Sequence, residues 1–157
     1  MASMMLIPLL SLVNFILMIA DVSASFAFSL TSPYFIYGFG LVMEEELGMT
    51  SIIYIGYAVS ILIIGAFAAF YFLSKKHIWP IVGSVILFAL DCLVLIYLIM
   101  SAPEDIANFI IDIGFHIWAM SSLIILLVTR IKAEKLAKEQ QPEAAQQTQQ
   151  YYDTVNK

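Results

Sequence analysis

Asp112 and His116 stand four residues apart in residues 106–128, a run otherwise apolar enough to cross a membrane. At that spacing both side chains leave one side of a helix. An ionisable group at membrane depth costs roughly 2.5–3.5 kcal/mol on insertion scales, so it marks either a function or a buried partner. The chemistry open to a carboxylate beside an imidazole is narrow. The pair can carry a proton near neutral pH, bind a cation or small polar ligand, supply His116 as a base, or close a hydrogen-bonded clasp between helices. Asp91 in the preceding apolar run and Asp21 in the first extend the set. Asn108 shares the stripe of Asp112 and His116, and Tyr54 and Tyr57 are the polar aromatics in the first half of the second run.

The elements that must position these groups follow from composition. Of 157 residues, 62% are hydrophobic and only 12% charged, with a mean hydropathy of +0.93. Soluble domains are about 45–50% apolar and about 25% charged. The expected fold is all-α: an integral membrane four-helix bundle occupying residues 1–138, followed by a low-complexity cytoplasmic tail at 139–157 that cannot build a core. The four spans are expected at about 5–30, 51–73, 79–100 and 106–128, each near the 20 residues that a hydrocarbon core of about 30 Å requires. A cleaved signal peptide is the rival reading of the first run. It lacks the basic leader of such peptides, since the first basic residue is Lys75.

Residues 31–50 interrupt the apolar pattern. Ser32-Pro33, Gly38 and Gly40 read as turn signals, and Glu44-Glu45-Glu46 cannot lie in lipid. The expectation is an outer loop with a short interfacial helix around residues 39–47; a re-entrant loop is the rival. Lys75, Lys76 and the basic residues from Arg130 to Lys138 fall on one side of a four-span topology, and the acidic loops on the other. The positive-inside rule then puts both termini in the cytoplasm.

That topology also fixes depth. At ~1.5 Å per residue, Asp91 lies roughly 13 Å below the outer end of its span, Asp112 about 9 Å deep and His116 about 15 Å deep. Asp21, Asp91, Asp112, His116 and the two tyrosines therefore share the outer half. Helices hiding charges independently need not agree in depth, so these groups are expected to converge inside the bundle.

Other chemistries find little support. A metal centre would have to use His116, Asp112 and Asp91, yet no His-x-x-x-His or Glu-x-x-His spacing occurs. Phosphate loops, Gly-x-Ser-x-Gly and Cys-x-x-Cys are absent, so an enzyme is the weaker reading and no catalytic residue or cofactor is implied. No basic patch interleaved with aromatics points to nucleic acid. The partners expected are the lipid bilayer and a homodimer or larger membrane complex.

Two stretches carry a resemblance. Lys75-Lys76-His77-Ile78-Trp79-Pro80-Ile81-Val82-Gly83 with Phe88-Ala89-Leu90-Asp91, and Gly114-Phe115-His116 with Ile117-Trp118-Ala119-Met120, resemble a pattern in small uncharacterised prokaryotic four-helix membrane proteins. The resemblance covers the third and fourth spans. It implies a multi-pass protein of a prokaryotic cytoplasmic membrane in which Asp91 and His116 belong together, and it carries no activity. The leading expectation is a transport-associated protein whose outward-facing cluster of Asp21, Asp91, Asp112, His116, Asn108 and Tyr57 binds a proton, cation or small polar ligand. The alternatives are an accessory subunit in which the cluster only locks the bundle, and a membrane enzyme using His116 as base.

Overall fold

The computed structural model describes residues 2–20, 29–102 and 106–155, with the side chains of 2–3, 106–108 and 141–155 left aside. The described residues form five helices: α1 (Ala2–Ile19), α2 (Ser32–Leu47), α3 (Thr50–Leu73), α4 (Trp79–Ser101) and α5 (Ile106–Val155). No strand occurs among them. Three helical stretches, Thr50–Leu73, Trp79–Ser101 and Phe109–Gln140, are long and apolar enough to cross a membrane, and Met4–Ile19 is a shorter apolar helix.

The packing is that of a membrane protein. Buried positions include Ser11, Asn14, Ser60, Ser84, Asp91 and His116, while Leu62, Met100 and Ile125 are 70%, 76% and 66% exposed. Water would penalise that distribution, whereas hydrocarbon favours it. The core is a seam of Phe67, Phe88, Phe115 and Leu123, joined by Met4, Ile7 and Phe15 of α1. Two of the hydroxyls on the spans are satisfied within their own helix: Ser84 donates to the Pro80 carbonyl at 3.0 Å and Ser121 to the Ile117 carbonyl at 2.7 Å. The buried Ser60 hydroxyl of α3 has no hydrogen-bond partner among the described residues.

Local chemistry sets the turns. Gly48, at φ 64°, ends α2 in the left-handed region, where its N–H returns to the Glu44 carbonyl at 2.8 Å. That reversal lays α2 antiparallel on α3. Gly56 admits Ile36, and Gly40 admits the backbone of Ile53; a Cβ would stand 3.3 Å and 3.4 Å from them. Pro80 starts α4 where its missing N–H costs nothing. Arg130 closes the opposite end by donating to the carbonyls of Ser74 and Lys75 at 2.8 Å and 3.1 Å. Met5 of α1 shares a groove with Tyr71 and Phe72 of α3. The α1 N-terminus, the α3–α4 turn and Arg130 thus lie at one end of the bundle.

Three extents differ from those read in the sequence. Helix α1 stops at Ile19 instead of running to residue 30. Ser29 and Leu30 lie back against its middle: Leu30 N–H donates to Ser11 Oγ at 2.9 Å, and Asn14 Nδ2 to Ser29 Oγ at 2.7 Å. Backbone that leaves a helix inside an apolar region must find such partners, and the Ser11/Asn14 face of α1 supplies them. The helix in residues 31–50 is also longer than expected, beginning at Ser32 rather than near residue 39. Helix α5 continues through the low-complexity stretch to Val155.

Candidate functional site

Helix α2 begins in the interior. Asp91 is 12 residues from the start of α4 and 10 from its end, or about 18 Å and about 15 Å at 1.5 Å per residue. The N-terminus of α2 meets α4 there, at mid-height. A helix N-terminus presents unpaired backbone N–H groups and the positive end of the helix dipole. Thr31 at the N-cap makes no side-chain cap. The acceptor comes instead from another helix. Asp91 Oδ1 accepts the Ser32 N–H at 2.7 Å and also the Ser32 hydroxyl; Oδ2 accepts the Thr31 N–H at 3.0 Å. Pro33 has no N–H to satisfy. A buried carboxylate and a half-buried helix start thereby reduce each other's desolvation cost.

His116 completes the arrangement from α5. Its Nε2 stands 2.8 Å from Asp91 Oδ2 and 3.4 Å from Thr31 Oγ1, and its Nδ1 stands 2.8 Å from the Asp112 carbonyl. A carbonyl only accepts, so Nδ1 carries a hydrogen. Nε2 and Oδ2 then need one further proton between them, whether written as imidazolium–carboxylate or imidazole–carboxylic acid. Phe88 stacks on the ring (centroids 5.1 Å apart, planes at 28°), and Phe115 meets it edge-on at 5.7 Å. Asp91 and His116 are 2% and 4% exposed. His116 also lines an apolar groove of about 560 Å³ between α4 and α5, with Leu95, Ile113 and Met120 among its other walls.

The structure brings together some of the expected site residues and separates others. Asp91 and His116 touch. Asp112 joins through its backbone carbonyl; its half-buried carboxylate makes no hydrogen bond among the described residues. Tyr57 lies elsewhere, stacked on Tyr37 at 5.7 Å and edge-on to Phe15 and Tyr54. Asp21 lies outside the described residues, as does the side chain of Asn108. No group of three or more His, Cys, Asp or Glu among the described residues is placed to hold a metal ion.

Sequence reasoning missed Thr31 and Ser32, the donors that define the site. The signal was present: a hydroxyl residue followed by proline reads as a helix start as well as a turn. Comparison with known protein families, with curated proteins and with solved structures finds no match to the chain.

Proposed function

We propose that this chain is a multi-pass membrane protein of the accessory, non-enzymatic class, in which the Asp91–His116 pair holds one proton and locks a half-length helix inside the bundle. In this reading α1, α3, α4 and the apolar part of α5 cross the membrane with both termini in the cytoplasm. Helix α2 is re-entrant, climbing from mid-membrane to the outer surface. Its 16 residues span about 24 Å, enough for that climb. The gathering of Lys75, Arg130 and the α1 N-terminus at one end supports the orientation.

The observation that carries the reading is the filled acceptor set of Asp91. Two backbone N–H groups, one hydroxyl and the imidazole occupy both carboxylate oxygens. A carboxylate so engaged serves as an anchor and has little capacity left for a metal or substrate cation. Half-helix N-termini aimed at anions recur in transporters, where the anion is often substrate; here the chain supplies its own.

The test compares purified wild type, Asp91→Ala and Asp112→Asn in lipid nanodiscs. The anchor reading expects Asp91→Ala to lose much of its thermal stability and Asp112→Asn to keep it. Equal stability of all three, with cation binding abolished in Asp91→Ala, would replace the anchor by a binding site. A transport role coupled to the bound proton is the second reading. The obligatory proton between Nε2 and Oδ2 favours it, and proton flux through proteoliposomes distinguishes it.

A further inference from the structure

The anchor has a built-in dependence on proton count. Helices α2 and α3 form one hairpin, joined through Gly48 and interlocked at Gly40 and Gly56. Helices α4 and α5 form another, and they carry Asp91 and His116. The contacts between α2 and this second hairpin include the Asp91–His116 cluster and the edge-on Phe35–Tyr97 pair at 5.7 Å. The N-terminus of α2 is thus held to α4 and α5 at a carboxylate and an imidazole that share a proton position.

We infer that the Asp91–His116 pair is a proton-operated latch: with one proton shared it holds α2, and with two protons or none it releases it. This inference rests on the anchor reading and adds its regulation. A second proton, taken from solvent, forms an O–H on Asp91 beside an imidazolium. One carboxylate oxygen is then a donor facing the N–H groups of Thr31 or Ser32, which lose their acceptor. Loss of the shared proton to solvent base leaves the Nε2 lone pair facing Oδ2 at 2.8 Å, because Nδ1 stays committed to the Asp112 carbonyl. Acceptor then faces acceptor, and the carboxylate and ring must part. Docking of α2 is thus strongest at intermediate pH and weakens on both sides.

On α4 the neighbouring titratable group is Cys92, and on α5 it is Asp112. Helix α2 contributes its positive dipole end. From α1 come the neutral Ser11 and Asn14, which hold Ser29 and Leu30. Helix α3 presents Ser60 at the level of Ser32, since Gly56 faces Ile36 one turn away. Asp21 and Asp105 lie outside the described residues.

The experiment is a spin–spin distance measurement in nanodiscs, in a Cys92→Ala background. One label sits on α2 (Phe39→Cys) and one on α4 (Ile96→Cys), both exposed positions. Ile96→Cys with Ile110→Cys controls for the α4/α5 hairpin, and circular dichroism for helicity. The latch predicts one narrow distance at intermediate pH and a second, longer population in both acid and alkali. His116→Phe should keep the narrow distance in alkali yet still open in acid. A distance that does not change with pH, or one that lengthens on one side only, overturns the proton-operated latch. Asp91→Ala should open α2 at every pH. If that variant opens while wild type ignores pH, the latch fails and the anchor stands. If it stays closed, the anchor itself fails.

Discussion

The imidazole of His116 reaches Asp91 Oδ2 with one nitrogen and the carbonyl of Asp112 with the other, each at 2.8 Å. The second contact fixes the tautomer, and the tautomer obliges the first to hold a proton. Proton content, helix docking and bundle stability are thereby linked through one side-chain pair.

Removing the carboxylate strands its partners. Asp91→Ala leaves two half-buried N–H groups and the buried imidazole without an acceptor, which is expected to cost about 3–5 kcal/mol, the range for breaking a buried pair. Asp112→Asn changes a carboxylate that makes no hydrogen bond among the described residues and leaves the backbone carbonyl in place, so its cost should stay under about 1 kcal/mol. Thermal or denaturant unfolding in detergent measures both.

The ring of His116 also has a packing role between Phe88 and Phe115. His116→Ala removes both the ring and the hydrogen bond and is expected to cost about 3–5 kcal/mol, in line with large-to-small core changes. His116→Phe should recover part of that loss. If the two variants are equally unstable, stacking contributes nothing and the polar contact accounts for the whole effect.

Glycine positions separate the α2 seam from lipid-facing surface. A Cβ on Gly56 meets Ile36 at 3.3 Å, whereas nothing lies within 4 Å of one on Gly65. Gly56→Leu should displace α2 and cost about 1–3 kcal/mol by overpacking. Gly65→Ala should stabilise α3 by roughly 0.5–1 kcal/mol. Opposite signs in unfolding experiments are the expected outcome.

At the other end, Arg130 donates to two carbonyls of the α3–α4 turn. Hydrogen bonds from a charged donor contribute about 1.5–3 kcal/mol each. Arg130→Ala should therefore loosen the turn, seen as faster proteolysis after Lys75 or Lys76, and Arg130→Lys should restore it only in part.

The pairing of Asp91 with His116 was legible in the sequence. Two ionisable groups at similar depth in adjacent apolar runs have few places to go, and depth follows from residue counting alone. The role of Asp112 was not legible, because helical spacing places a side chain on a face without saying whether side chain or carbonyl makes the contact. The start of α2 was hidden for a related reason. Thr31-Ser32-Pro33 is compatible with a surface turn and with a helix N-terminus, and only the distant carboxylate of Asp91, 59 residues beyond Ser32, selects between them. Tyr57 shows the limit of counting: its depth matched the cluster, yet Phe15 and Tyr37 offered it an aromatic site. The early end of α1 depends on the long-range bonds from Ser11 and Asn14 to residues 29 and 30, which no local pattern encodes.

Asp91 accepts the backbone N–H groups at the start of α2. Hydrogen–deuterium exchange at the Thr31 and Ser32 amides, resolved by NMR in nanodiscs at a fixed intermediate pH, tests it most directly. Exchange is expected to be slow in wild type and faster by at least about tenfold in Asp91→Ala, since losing about 1.4 kcal/mol of protection is a tenfold change. Equal protection of both amides in the two proteins would contradict it.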